Sequence, residues 1–127
     1  MPGVHFVSFR PSYRQVEQGI TATPKLFEDA GAKNLSSGIS TFAPGSTARV
    51  HGHNTEEVLT ILQGKALIEA EGKRFEAEPL DICYMPAGVF HRVTNIGDSE
   101  MRLLWIYGST RPVRILGDGA AWKVAGR

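Results

Sequence analysis

Residues 45–64 read GSTARVHGHNTEEVLTILQG, and two of the four histidines in the chain, His51 and His53, stand one residue apart within them. Side chains at positions i and i+2 of a strand point to the same face of a sheet. If this stretch is a strand, both imidazoles face one side, and the following strand brings Glu56 or Glu57 back beside them. The pattern is typical either of a metal site or of two polar residues on a solvated strand face.

The rest of the chain consists of short segments rich in β-branched and aromatic residues, separated by turn residues that include 14 glycines and seven prolines. This pattern predicts many short strands with tight connections, one of them a hairpin that turns at Glu71-Gly72. Thr23-Pro24 is compatible with the start of a short helix over 25–30 and equally with an extended chain. The predicted strands are residues 38–42, 47–53, 57–63, 65–70, 73–77, 80–85, 90–95 and 101–107.

Crossover helices, which a parallel sheet requires, are not indicated anywhere in the sequence. We therefore expect an all-β, antiparallel fold, either a jelly roll or a closed barrel. A chain of 127 residues with 42% hydrophobic and 21% charged residues has room for one such domain with its own core.

Charge and cysteine content exclude several functional classes. The formal net charge is +1, which gives no electrostatic reason to expect a nucleic acid or an anionic membrane as partner. Cys83 is the only cysteine, so neither an internal disulfide nor a cysteine-rich metal site is possible; we expect a small buried thiol. Without a secretory leader or an apolar run of about 20 residues, a cytoplasmic location is expected.

The spacing of the first histidine stretch resembles a known motif. Gly45, His51, His53, Glu57 and Gly64 stand at the fixed positions of the first motif of the cupin superfamily. The resemblance selects Glu57 over Glu56, and the alternation of a strand agrees with that choice.

A second stretch resembles the second cupin motif. Pro86, Gly88, His91 and Asn95 match it, whereas Leu80 stands where that motif opens with glycine. Nine of the ten fixed positions therefore agree, and the intervening residues 65–79 resemble the spacer of a compact, bacterial-type single-domain cupin.

The resemblance implies a double-stranded β-helix, the jelly-roll cupin barrel. It implies one cupin domain over residues 1–127, with a barrel core at about 38–108 and extensions at 1–37 and 109–127. It also implies one divalent ion (Fe, Mn, Ni or Zn) inside the barrel, held by His51, His53, Glu57 and His91.

For function, the resemblance implies a metal-dependent enzyme whose small organic substrate binds the ion through oxygen. The ligand set favours a dioxygenase-like oxidoreductase, with a cupin isomerase, decarboxylase or lyase as alternatives. A sensing module that binds a small ligand, and an ion that only stabilises the barrel, are further alternatives. No catalytic acid or base is indicated beyond the metal centre, and no organic cofactor is expected. Arg49 shares the parity of His51, so it points either inward to an anionic substrate or to solvent at the barrel mouth.

Two expectations concern the remaining side chains. Small cupins commonly dimerise, and the apolar Val4, Phe6, Val7 and Phe9 of the N-terminal extension fit a homodimer. The aromatic side chains are interpreted as core and interface residues, some of which line the cavity around the ion: Phe42, Phe75, Tyr84, Phe90, Trp105 and Tyr107.

Overall fold

The computed structural model describes residues 3–8, 15–27 and 31–117, and these fold into two antiparallel sheets. In chain order the strands are β1 (Gln15–Glu17), β2 (Ile20–Leu26), β3 (Ser36–Phe42), β4 (His51–His53), β5 (Glu57–Gln63), β6 (Ala66–Ala70), β7 (Lys73–Ala77), β8 (Ile82–Met85), β9 (His91–Asn95), β10 (Met101–Tyr107) and β11 (Arg114–Leu116). No helix occurs in these described ranges, and so none that is able to cross a membrane.

One sheet has six strands in the order β1-β2-β3-β10-β5-β8, and the other has five in the order β11-β4-β9-β6-β7. Several neighbours in space are distant in sequence: β10 lies between β3 and β5, and β9 lies between β4 and β6. In a jelly roll, strands likewise alternate between the two sheets. This arrangement confirms the predicted all-β jelly-roll cupin fold. It also places β4 and β9 of one sheet opposite β5 and β10 of the other.

The core lies between the sheets because strand residues alternate between buried and partly exposed. Strands β3, β6, β9 and β10 all follow this period of two. Trp105 crosses the inner face of β3 at Gly38, where a Cβ atom would lie 2.2 Å from the indole ring. The indole Nε1 donates a hydrogen bond to Oγ of Ser40 over 3.1 Å. Gly38 therefore lets a large ring pack flat between the sheets.

All eight predicted strands are present, with different bounds at some ends. The strand predicted over 47–53 is reduced to His51–His53, and Thr47 makes only an isolated bridge to Thr94. Thr23-Pro24 is extended within β2, so the alternative of a helix over 25–30 is wrong for its described part, residues 25–27.

The extensions contribute strands as well. β1 and β2 form one end of the six-stranded sheet, and β11 pairs with β4 at one edge of the other. Val4 and Phe6 are fully exposed, at 102% and 92% of their reference surface. Phe9, the last of the four apolar residues that suggested a dimer, lies outside the described residues.

Two turns carry backbone angles that matter. Glu71 and Gly72, with φ of 53° and 74°, form the turn of the predicted hairpin. Leu80 has φ of 77°, in the left-handed region that favours glycine. The one position at which the sequence departs from the second cupin motif is therefore a position where the backbone retains the glycine conformation.

Candidate metal centre

The three histidines of the motifs converge on the inner face of the five-stranded sheet. His51 and His91 are direct cross-strand partners between β4 and β9, so their side chains lie side by side on one face. The ring centroids of His51 and His91 are 4.5 Å apart, and those of His51 and His53 are 5.0 Å apart. One ring nitrogen from each of the three residues lies within 4.8 Å of the others.

Backbone carbonyls fix the protons of two of these rings. Nδ1 of His51 lies 2.6 Å from the carbonyl oxygen of Arg49, and Nδ1 of His91 lies 3.1 Å from that of Val89. A carbonyl oxygen only accepts, so Nδ1 is the donor in each case and carries the ring proton. In the neutral rings Nε2 is then left with a lone pair that faces the other histidines.

Glu57 reaches the same place from the opposite sheet. It is the first residue of β5, is only 3% exposed, and shares its inner face with Leu59 and Ile61, as the strand alternation predicts. Its Oε1 lies 3.2 Å from Nε2 of His91 and 3.8 Å from Nε2 of His53. Glu56 points outward and accepts a hydrogen bond from Tyr84.

The contact between Glu57 and His91 lacks a proton. Although 3.2 Å is within hydrogen-bond reach, Nε2 of a neutral His91 has no hydrogen, because Nδ1 already holds it. Oε1 of Glu57 is buried and has no hydrogen-bond partner among the described residues. Lone pairs that face one another in a buried site are stable only with a cation between them, either a proton or a metal ion.

Tyr107 of β10 closes the group. Its hydroxyl oxygen lies 3.1 Å from Nε2 of His53. Burial first, and the Glu57 carboxylate second, raise the pKa of the Tyr107 hydroxyl, so it keeps its proton and donates to His53. Nδ1 of His53 has no partner of good hydrogen-bond geometry in the described ranges, although the Val113 carbonyl contributes to the pKa of the ring.

Burial keeps His51 and His53 neutral. It lowers the pKa of His51 from 6.5 to about 4, with the charge of His91 as the second cause. It also lowers the pKa of His53, against the opposing effect of Glu57. Burial, the largest single influence, raises the pKa of Glu57, but the interactions with His91 first, and then with His53 and His51, outweigh it and lower this pKa. Neutral imidazoles beside an ionised carboxylate are the protonation states that bind a metal ion.

The four residues lie in a cavity of about 500 Å³ between the sheets. Its walls near them are mostly apolar, and Trp105 and Tyr107 supply the aromatic surface that was expected from some of the aromatic side chains. Phe75 and Tyr84 are instead exposed on the outside of the molecule. The apolar wall residues include Phe42, Ala48, Leu59, Val93, Leu103 and Trp105.

Other residues considered from the sequence lie elsewhere. Arg49 is exposed and is absent from the cavity wall. Strand β4 begins only at His51, and before it Ala48 is the residue that lines the cavity, so the alternation is out of phase with that of His51 and His53. Cys83 is only partly buried and packs against the edge of the core. Arg114 of β11 lines the cavity instead, and nothing local in the sequence distinguishes it.

A divalent ion fits this group of residues. Metal-binding histidines almost always donate their second ring N–H to a carbonyl or carboxylate, as His51 and His91 do. Three imidazoles and a carboxylate suit a borderline ion such as Zn²⁺, Fe²⁺, Ni²⁺ or Mn²⁺. The orphaned Oε1 of Glu57 is the buried atom that such an ion would satisfy.

Comparison with known proteins gives related sequences of several kinds. Auxin-binding protein 1 of Arabidopsis thaliana is 32% identical over 95 residues, which are 67% of this chain and 47% of that protein. The 5-nitrosalicylic acid 1,2-dioxygenase of a Bradyrhizobium species is 29% identical over 90 residues, which are 71% of this chain and 39% of that enzyme. This chain thus spans about half, or less, of the length of these relatives.

A solved structure of a variant of Bacillus subtilis oxalate decarboxylase has the same fold. The TM-score is 0.74 at 24% sequence identity, over 83% of this chain and 30% of that one. The family described as "Cupin domain" matches residues 38–107, which include β4 to β10, most of β3 and all four residues of the candidate centre. The chain therefore belongs to the cupin family.

Proposed function

We propose that this chain is a metal-dependent cupin enzyme that acts on a small organic substrate bound at one divalent ion, in a dioxygenase-like reaction. His51, His53, Glu57 and His91 would hold the ion. The observation that carries the proposal is the meeting of three imidazoles and one ionised carboxylate, from both sheets, inside a cavity of about 500 Å³. A cavity of this size suits a small molecule.

The bound ion would supply Lewis acidity or O₂ chemistry to a substrate that coordinates through oxygen. The chain's own residues prepare the site for it. The carbonyls of Arg49 and Val89 hold the imidazoles of His51 and His91 with Nε2 toward the centre. Glu57 compensates one positive charge of the ion from the opposite sheet.

The walls of the cavity around the four residues are largely apolar. Leu59 and Leu103 from one sheet and Val93 from the other are buried around the four residues. A low-dielectric surrounding strengthens the electrostatic effect of any charge within it. The hydroxyl of Tyr107 is the neutral donor closest to this centre, and once His53 binds an ion it is available to a substrate oxygen.

The dioxygenase-like reaction is supported by the ligand set and by the relative named as 5-nitrosalicylic acid 1,2-dioxygenase. A fold and a ligand set do not select one reaction, so isomerases, decarboxylases and lyases are compared in the same assay. A second candidate is a non-catalytic binding protein for a small ligand. Its support is the similarity to auxin-binding proteins, at 32% identity for the Arabidopsis thaliana protein.

The test begins with chelator-treated protein that is reloaded separately with Fe²⁺, Mn²⁺, Ni²⁺ or Zn²⁺. O₂ uptake and product formation are then followed over catechols, flavonols, β-diketones, keto acids and sugars. We expect turnover with at least one ion and substrate, lost in His53→Ala and kept in His5→Ala, whose histidine lies in the exposed segment 3–8.

The outcomes separate the candidates. Turnover in wild type that persists unchanged in a folded His53→Ala variant would contradict the proposed centre. Saturable binding of a panel compound with no turnover under any ion would favour the binding protein. Each variant is reloaded with the same ions, and its metal content and turnover are measured on the same samples.

We also propose that the protein forms a homodimer. Val4 and Phe6 are exposed in the described N-terminal segment, and burial against a second copy would remove this apolar surface from water. Light scattering at micromolar concentration should give the mass of a dimer, and Phe6→Ser should lower it. A monomeric wild type would overturn this assembly.

A further inference from the structure

Arg114 lies on the same face of the five-stranded sheet as the candidate metal centre. β11 pairs with β4 in a register that sets Arg114 directly opposite His53. Directly opposed residues of antiparallel strands project to the same side, so the Arg114 side chain points into the cavity next to His53. Among the described residues that line the cavity, Arg114 is the only arginine or lysine.

The positive charge of Arg114 affects the pKa values of two side chains at the candidate metal centre. Burial is the main cause that lowers the pKa of His53, and Arg114 acts in the same direction. For Tyr107, burial and Glu57 raise the pKa while Arg114 opposes them. The guanidinium is thus electrostatically coupled to two side chains deeper in the cavity.

Glu17 is the present partner of Arg114. It comes from β1, at the end of the six-stranded sheet, and its Oε1 lies 3.7 Å from an Nη2 of Arg114. The two side chains are 51% and 42% exposed, respectively, so this ion pair joins the two sheets at the mouth of the cavity. A pair that is long and solvated holds its members weakly and exchanges readily.

We propose that Arg114 is the anion-binding residue of this cavity, that its ligand is a small carboxylate with an apolar body, and that Glu17 is an internal competitor for the same guanidinium. The ligand would make a second contact with the metal ion, and that part of the proposal rests on the proposed function. A substrate carboxylate offers Arg114 two oxygens in a parallel, bidentate geometry that the distant Glu17 does not achieve.

The charge inside the cavity supports an anion. A divalent ion and the single buried carboxylate of Glu57 would leave a net positive charge, because imidazole binds a metal ion in its neutral form. Arg114 adds to it whenever Glu17 is displaced. An uncharged ligand of the same shape would gain nothing from this field, and a cationic ligand would be repelled.

The walls of the cavity support the apolar body of the ligand. The lining of the cavity that Arg114 and the histidines share also includes Trp105, Leu103 and Val93. A planar or branched carboxylate buries its body against these side chains while its charged end stays at the mouth. The combination selects amphipathic acids over sugars, whose hydroxyls would find few partners there.

The test uses benzoate and benzamide, which share a shape and differ in charge. Calorimetric titrations are made with the Zn²⁺-loaded protein and again after chelation, and zinc content is measured on each sample. We expect benzoate to bind in the millimolar range or tighter, and benzamide to bind about tenfold more weakly.

Substitutions at the two partners should have opposite effects. Arg114→Gln should weaken benzoate about tenfold and leave benzamide unchanged, and Arg114→Lys should restore part of the loss. Glu17→Gln should tighten benzoate several-fold, because the competitor is removed. Arg74→Gln and Glu76→Gln, on the exposed strand β7, are matched controls and should change neither ligand.

A merely structural role of the Glu17–Arg114 pair predicts that both substitutions weaken binding, and that result would overturn the proposal. So would equal binding of benzoate and benzamide, or no binding of either by wild type. If Arg114→Gln does not fold, the effect of Glu17→Gln on benzoate affinity tests the proposal: tighter binding supports it, and weaker binding overturns it. Absence of zinc uptake would refute the proposed function instead, while charge-dependent binding by the metal-free protein would still report on Arg114.

Discussion

Nε2 of His91 lies 3.2 Å from Oε1 of Glu57, and no proton of a neutral His91 is available to join them. The Val89 carbonyl holds the ring proton on Nδ1, so the two buried atoms face each other through lone pairs. This contact is favourable only with a cation between the two atoms, and a divalent ion would supply one. It therefore links the stability of the protein to the occupancy of the centre.

The first prediction concerns Glu57→Gln, which replaces an oxygen with an amide that can donate to Nε2 of His91. We expect the metal-free variant to be about 1 kcal/mol more stable than wild type, since the missing hydrogen bond is supplied. Its affinity for divalent ions should fall by at least about tenfold, because a charged ligand is lost. Chemical denaturation in chelator and calorimetric metal titration check the two effects.

Glu76→Gln is the control for this substitution, because Glu76 pairs with Lys65 on the outer surface. It should leave both quantities within error. Tighter metal binding by Glu57→Gln than by wild type would show that this carboxylate is not a ligand.

Tyr107→Phe should raise the affinity for a divalent ion. The Tyr107 hydroxyl donates to Nε2 of His53 and so competes with an ion for the same lone pair. Removing a hydrogen bond of about 1 kcal/mol predicts an affinity about fivefold higher. Tyr84→Phe, which loses an exposed hydroxyl that donates to Glu56, should not change it. A tenfold loss of affinity in Tyr107→Phe would mean that the hydroxyl supports the bound state.

The stability of the metal-free protein should fall on acidification from pH 6.5 to about 4. The pKa of His51 is about 4 in the folded chain and about 6.5 when unfolded, so the unfolded state binds more protons in this window. Stability therefore rises with pH between these values, by at most about 1.4 kcal/mol per pH unit for one group. The lowered pKa of His53 acts in the same direction.

Denaturation midpoints in chelator at several pH values measure this dependence. His51→Gln should flatten the slope over the window, and His5→Ala, in the exposed N-terminal segment, should not. A wild-type stability that is constant or increasing from pH 6.5 to 4.5 would contradict the buried, neutral state of these rings.

Leu80→Gly should stabilise the protein. Leu80 is 79% exposed, so little burial is lost, and its φ of 77° is costly for a residue with a Cβ. The relief of about 1–2 kcal/mol exceeds the entropy cost of glycine, about 0.5–1 kcal/mol, and leaves a net gain of about 0.5–1 kcal/mol. Leu80→Ala keeps the Cβ and should not show this gain. A loss of stability in Leu80→Gly would mean that the side chain makes a contact that compensates the strain.

The positions of most strands were within reach of sequence reasoning because they depend on local patterns, and the four candidate ligands were implied by the resemblance to the two cupin motifs. The spacing of two histidines on one strand, and the alternation that sets Glu57 beside Leu59 and Ile61, are properties of short segments. The strand alternation did not indicate which way Arg49 points, because the alternation holds only within a strand and β4 begins two residues later, at His51.

Arg114 and Glu17 were missed for a different reason. Each enters the cavity through a pairing in an extension of the barrel, β11 with β4 and β1 with β2. Such long-range registers depend on how the two sheets close, which no local pattern encodes. At position 80 the residue type departs from the cupin motif, because leucine replaces glycine, but the backbone keeps the positive φ that glycine favours.

Whether His51, His53, Glu57 and His91 bind one divalent ion is measured by calorimetric titration of the chelator-treated wild type with Mn²⁺ and Zn²⁺, alongside a folded His91→Ala variant. The ring of His91 lies against His51, and its Nε2 lies 3.2 Å from Oε1 of Glu57. We predict one ion bound per chain in wild type, and binding weakened by at least about a hundredfold in the variant. No ion bound by wild type, or equal affinity in the two proteins, would contradict it.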